Sequence, residues 1–133
     1  MFFSCLGSAY GTAKASSGIA KVIILSPTKI LQALVPVIMA GILSIYGMII
    51  AIVTYNKVKN PNDCTVAFGY KLFGGGLIVG LSAFASGLAI GYAGDQLVSA
   101  YARTDRVFVA LVLVMIFAEC IGLYGFIVAI LVV

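Results

Sequence analysis

The chain has 133 residues, of which 63% are hydrophobic and 9% charged, and it contains neither His nor Trp. A soluble domain carries roughly 25% charged residues, so this composition, with a mean hydropathy of +1.22, excludes a soluble fold and predicts an integral membrane protein. Eight Lys/Arg stand against four Asp/Glu, and no run of like charges forms a nucleic-acid patch.

Four apolar segments follow in chain order, roughly 1–25, 30–55, 66–94 and 107–133. They are divided by Ser26-Pro27-Thr28-Lys29, by Asn56 through Thr65, and by Asp95 through Arg106. A membrane span needs about 20 apolar residues at 1.5 Å each, so the last three segments are long enough. Lys14 and Lys21 interrupt the first and make it the weakest span. Pro36 falls in the first turns of the second helix, where its missing N–H costs least. Lys14, Lys21, Lys29, Arg103 and Arg106 lie toward the two short connections, while Lys57, Lys59 and Lys71 flank the middle one. That excess slightly favours cytoplasmic short connections by the positive-inside rule.

An internal repeat orders these segments. With a shift of 78, AGILSIYGMIIAIV at 40–53 lies on AECIGLYGFIVAIL at 118–131, with six of fourteen positions identical. Ser4 then matches Ser82, Ser8 matches Ser86 and Ala15 matches Ala93, all without a gap. The sequence therefore predicts an all-α membrane protein of four transmembrane helices, arranged as two tandem duplicated hairpins. These are residues 1–55 and 66–133, joined by a loop at 56–65. Because the third helix starts near Val66, its counterpart is expected to start about twelve residues before Met1, which makes the N-terminus incomplete.

Small residues recur on helical faces: Gly7, Gly11 and Gly18 in the first helix, and Gly76, Gly80, Gly87, Gly91 and Gly94 in the third. Such rows let backbones approach closely, as small-xxx-small packing does in membranes. A compact four-helix monomer would satisfy them. Two stripes on alternate helices favour a multi-copy ring with the first and third helices forming its inner wall.

The chemistry is concentrated in the fourth segment. Glu119 is the one charged residue between Val107 and Val133 and stands thirteenth of those 27, near the expected bilayer midplane. An ionisable residue at a spanning-helix centre costs roughly +2.5 to +3.5 kcal/mol on insertion scales, and is a functional candidate for that reason. A carboxyl group in hydrocarbon disfavours its charged form. It can hold a proton while facing lipid and release it when water or a cation arrives, which is the behaviour of a carrier. The alternatives are a hydrogen-bonded link between helices or a snorkelling side chain, and central placement argues against the latter. The first hairpin has Gly41 in the equivalent place. Folding the second hairpin about its loop puts Ser82 opposite Glu119 and Ser86 one turn away.

Other chemistries lack residues. Cys5, Cys64 and Cys120 are far apart and read as small buried side chains. Without His or a C-x-x-C, no zinc site can be assembled, so no metal is expected. A sodium site needs several oxygen ligands, and Gln32 and Gln96 lie close to helix ends. Neither Gly74-Gly75-Gly76 nor GTAK at 11–14 has the phosphate-loop spacing, so no nucleotide or other cofactor is expected.

The stretches LGSAYGTAKAS (6–16), PVIMAGILSIYG (36–47), SGLAIGYAGD (86–95) and IFAECIGLYGFIVAIL (116–131) resemble the proteolipid c subunits of vacuolar-type proton ATPases. The resemblance runs in order along essentially the whole chain. It implies a c-type subunit or close paralogue in a membrane rotor ring, the c-ring, turned by ATP hydrolysis elsewhere, with no ATPase site in this chain. The family's proton-carrying glutamate falls on Glu119. The implied partners are other c-type subunits, an a subunit with half-channels and an essential arginine, the d subunit with the central stalk, and membrane lipid. The implied location is a vacuolar, endosomal or other acidic-organelle membrane. Two positions depart from the family: RTDR at 103–106 replaces the usual Gln-Pro before the arginine, and Cys120 replaces an aliphatic residue. They bear on loop contacts and leave the carrier in place. The competing functional class is a small proton-coupled multidrug exporter, whose glutamate sits in its first helix. A purely structural scaffold or pore would leave Glu119 without a role.

Overall fold

The computed structural model describes residues 1–59 and 65–133. It consists of α1 (Phe2–Leu25), a 3-10 turn (Pro27–Lys29), α2 (Ile30–Ala33), α3 (Val35–Val58), α4 (Val66–Tyr101) and α5 (Val107–Val132), with no strand among the described residues. The expected loop at 56–65 is shorter than its limits, because α3 continues through Val58. Residues 60–64, including Asp63 and Cys64, lie outside the described residues.

Three stretches are long and apolar enough to cross a membrane: Pro27–Val58, Val66–Tyr101 and Val107–Val132. α1 matches α3 in length, at 24 residues each, but carries Lys14 and Lys21.

Local chemistry sets the helix ends. Ser26 leaves the helical region at φ −152°, and its hydroxyl donates to the Ala102 carbonyl at 3.0 Å, tying the first connection to the end of α4. Pro36 has no N–H to offer the carbonyl four residues back. The helix accordingly breaks at Leu34, and Pro36 stands in the first turn of α3. The Thr65 hydroxyl accepts the Phe68 N–H at 3.4 Å and caps the start of α4.

α4 ends later than its apolar pattern suggested. It was expected to stop at 94, with Asp95 in a connection, yet it runs to Tyr101 and Asp95 is only 8% exposed. The burial is tolerable because α1 supplies partners. Ser17 Oγ donates to Asp95 Oδ1 at 2.8 Å, Lys21 Nζ lies 3.4 Å from the same oxygen, and Lys14 Nζ lies 4.0 Å from Oδ2. A paired and hydrogen-bonded carboxylate can sit inside a helix bundle where an isolated one cannot.

α1 and α4 lie parallel, because contact partners rise together in number. A Cβ at Gly7 would stand 2.7 Å from the Ala83 oxygen, one at Gly11 2.9 Å from the Gly87 oxygen, and one at Gly18 3.0 Å from the Asp95 oxygen. A Cβ at Gly87 would overlap the Gly7 backbone. Most of the expected Gly row is thus the seam between these two helices. Gly76 is an exception, since a Cβ there would meet nothing within 4 Å.

α3 runs antiparallel along α1, and α5 runs antiparallel along α4. Ser4 Oγ donates to the Leu43 carbonyl at 2.5 Å and its side chain fills the space over Gly47. On the other pair, the Ser82 side chain fills the space over Gly125. Both members of the second contact stand 78 residues beyond those of the first. The buried core between the helices includes Leu43, Ala83, Ile90, Leu111, Met115 and Ala118.

Candidate functional site

Glu119 stands in the middle of α5, and the half-buried side chain turns inward against α3 rather than outward with Phe117 and Tyr124, which are 71% and 65% exposed. Both carboxylate oxygens are buried and neither has a hydrogen-bond partner among the described residues. Buried polar groups are nearly always satisfied, and an exception calls for a physical reason. Only the neutral acid is easily accommodated without compensation, since an isolated buried carboxylate is expensive.

Neither expected serine serves it. Ser86 Oγ donates to the Ala118 carbonyl at 2.7 Å, and Ser82 Oγ to its own helix at the Val79 carbonyl, 3.2 Å away. The register also differs from the folded-hairpin estimate. Ser86 is level with Glu119, while Ser82 meets Gly125, further along α5. The longer α4 moves the turn and therefore the pairing.

The polar group that does face the carboxyl is Tyr46 of α3, which interacts with it electrostatically without closing a hydrogen bond of normal geometry. The Tyr46 ring stacks on Phe126 of α5 at 5.1 Å between centroids and 25° between planes. That stack anchors the phenol beside the acid. Sequence reasoning missed Tyr46. The available signal was a lone phenol midway along an apolar helix expected to run antiparallel to α1.

Gly41, the repeat counterpart of Glu119, has open space around its Cβ position, with nothing within 4 Å. The first half thus presents no acid at the corresponding place. Cys5 and Cys120 are free thiols, and among the described residues no group of three or more His, Cys, Asp or Glu gathers in one place.

Comparison with known proteins decides the family. Residues 1–54 and 73–132 each match the family of the ATP synthase C subunit. Over 129 residues the chain is 46% identical to the 16 kDa proteolipid c subunit of the Homo sapiens V-type proton ATPase, covering 97% of this chain and 82% of that one. The chain belongs to the V-type proteolipid family. It is also 45% identical to the 16 kDa proteolipid c subunit of Nephrops norvegicus, over 98% of this chain and 82% of that protein. Against the V-type proton ATPase c' subunit of Saccharomyces cerevisiae the identity is 44%, over 97% and 79%. As a V-type proteolipid the chain is a membrane component of a proton-transport system and not a catalytic, ATP-hydrolysing one.

Proposed function

We propose that this chain is a rotor-ring subunit that carries one proton on Glu119 as the ring turns through the membrane. One observation carries the reading: a carboxyl group near the middle of α5, with both oxygens buried and no hydrogen-bond partner. A structural link between helices would spend that carboxyl on a partner. A carrier must keep it available.

In this reading all four long helices span the membrane, α1 included, because its two lysines lie on the side that holds Asp95 rather than against hydrocarbon alone. The two halves, 1–55 and 66–133, are tandem copies of one hairpin. The repeat of 78, the two family matches and the paired Ser–Gly contacts support this. The seam of α1 and α4 forms the inner wall of a c-ring and the α3 and α5 helices form the outside. The acid collects its proton from a half-channel of an a subunit, crosses lipid as the neutral acid, and gives the proton up near that subunit's arginine. The d subunit and central stalk couple the ring to ATP hydrolysis, in a vacuolar, endosomal or other acidic-organelle membrane. About 2.3 kcal/mol per charge per 100 mV opposes the transfer, so rotation must supply the work. Family membership speaks against the exporter alternative.

The test is acidification of sealed vesicles in which every copy of this proteolipid bears Glu119→Gln, with assembly verified by purification. The amide keeps size and hydrogen-bonding capacity but cannot ionise, so the complex assembles and does not pump. Sustained pumping by the assembled variant would end the carrier reading, and loss of assembly would favour a structural link.

A further inference from the structure

The departure at 103–106 takes on meaning where α4 meets the second connection. A cleft of about 500 Å³ opens there, with Lys21, Ser99, Arg103 and Thr104 as its polar walls and Leu25 and Val107 among its apolar ones. Lys21 reaches into it from α1, held by Ser99 Oγ at 3.2 Å and by Asp95 Oδ1 at 3.4 Å. Arg103 has no ion pair or hydrogen-bonded partner for its side chain among the described residues. The local carboxylates are already matched: Asp95 by Lys14 and Lys21, and Asp105 by Lys29 at 2.5 Å. The cleft therefore holds two hydroxyls, a guanidinium without a counter-charge, and an ammonium that shares its one acid with a second lysine. Its floor is apolar.

Depth identifies the occupant. Ser86 is level with Glu119, and Ser99 stands 13 residues further along the same helix. At 1.5 Å per residue that is roughly 20 Å, beyond the ~15 Å half-thickness of the hydrocarbon core and within the headgroup layer. We propose that this cleft binds the headgroup of an anionic phospholipid, with the phosphate between Arg103 and Lys21 and the acyl chains descending over Leu25 and Val107. Guanidinium and ammonium groups near a membrane surface attract anionic lipid, and a guanidinium fork fits phosphate oxygens in pairs. The depth argument rests on the mid-membrane placement of Glu119 proposed above. The binding readout below is separate from pumping, so either statement can fail without the other.

The assembled complex, purified in mild detergent, is incubated with an equal mixture of phosphatidylglycerol and phosphatidylcholine, and bound lipid is counted by mass spectrometry of the intact particle. The expected result is several-fold enrichment of phosphatidylglycerol, lost in Lys21→Gln/Arg103→Gln. Arg103→Gln alone, which leaves the Asp95 pairs intact, lowers the enrichment in part and guards against a folding defect. Lys59→Gln/Lys71→Gln, which removes the same charge at the other end of the helices, leaves it unchanged. Excess inorganic phosphate does not displace the lipid. Binding at the mixing ratio, equal loss in the control variant, displacement by phosphate, or an acidic polypeptide in the cleft in place of lipid would each overturn the assignment.

Discussion

At the scale of single residues, Glu119 and Asp95 show how one functional group is used in opposite ways. Asp95 is buried and fully engaged by a hydroxyl and two ammonium groups, which makes it a fixed joint between α1 and α4. Glu119 is buried and unengaged, which suits a group that must exchange protons. A hydrophobic carbodiimide reacts with the protonated acid, so it should label Glu119 in preference to Asp95 or Asp105, both of which are ion-paired. A tryptic map of the labelled chain checks this. Glu119→Asp retracts the carboxyl by one methylene and should leave partial pumping if the acid must reach a partner arginine. Tyr46→Phe keeps the stack on Phe126 and removes only the hydroxyl beside the acid. Loss of that interaction at ~1 kcal/mol should slow vesicle acidification about fivefold. An unchanged rate would reduce Tyr46 to a packing role.

At the scale of elements, the glycines divide by what lies over them. Between lipid-embedded helices there is little hydrophobic driving force, and association depends on close van der Waals contact. Gly87→Ala would drive a methyl group into the Gly7 backbone, where no side chain can yield. We expect the assembled form to lose about 1–3 kcal/mol of stability, the usual range for overpacking. Gly80 faces the Phe3 side chain at 3.3 Å, which can move, so Gly80→Ala should be tolerated better. Gly69 is exposed with nothing within 4 Å, and Gly69→Ala should gain up to ~1 kcal/mol from helix propensity. Thermal denaturation of the three variants in one detergent gives the ranking. A Gly87→Ala protein as stable as the parent would contradict the parallel seam.

For the whole molecule, the two halves repeat one step. The move from α1 and α3 to α4 and α5 places Ser82 on Gly125 as it placed Ser4 on Gly47. Continued from chain to chain, that step closes into a ring if its rotation permits. The apolar surface left open, including Ile38 at 62% and Leu131 at 80% exposure, is then divided between neighbouring copies and lipid. The mass of the detergent-purified particle measures this directly. We expect many copies per particle, whereas a monomer or dimer would refute the ring and favour the exporter class.

The amino-acid sequence by itself determined the membrane class, the four apolar helices and the single central acid. Those features depend on composition and hydrophobic run length, which are local properties. It also carried the repeat of 78 and the placement of Pro36 at a helix start. The end of α4 was not legible, because Asp95 looks like a loop residue until Ser17, Lys21 and Lys14 of α1 are seen to satisfy it. The same seven extra residues shift the hairpin register, and so Ser86 rather than Ser82 is level with Glu119. The partner of the acid was hidden for a related reason. Tyr46 and Glu119 lie 73 residues apart on helices from different halves of the chain, and only the packing of α3 against α5 brings the phenol to the carboxyl. Long-range contact of this kind leaves no local pattern, so the tertiary structure alone decided it.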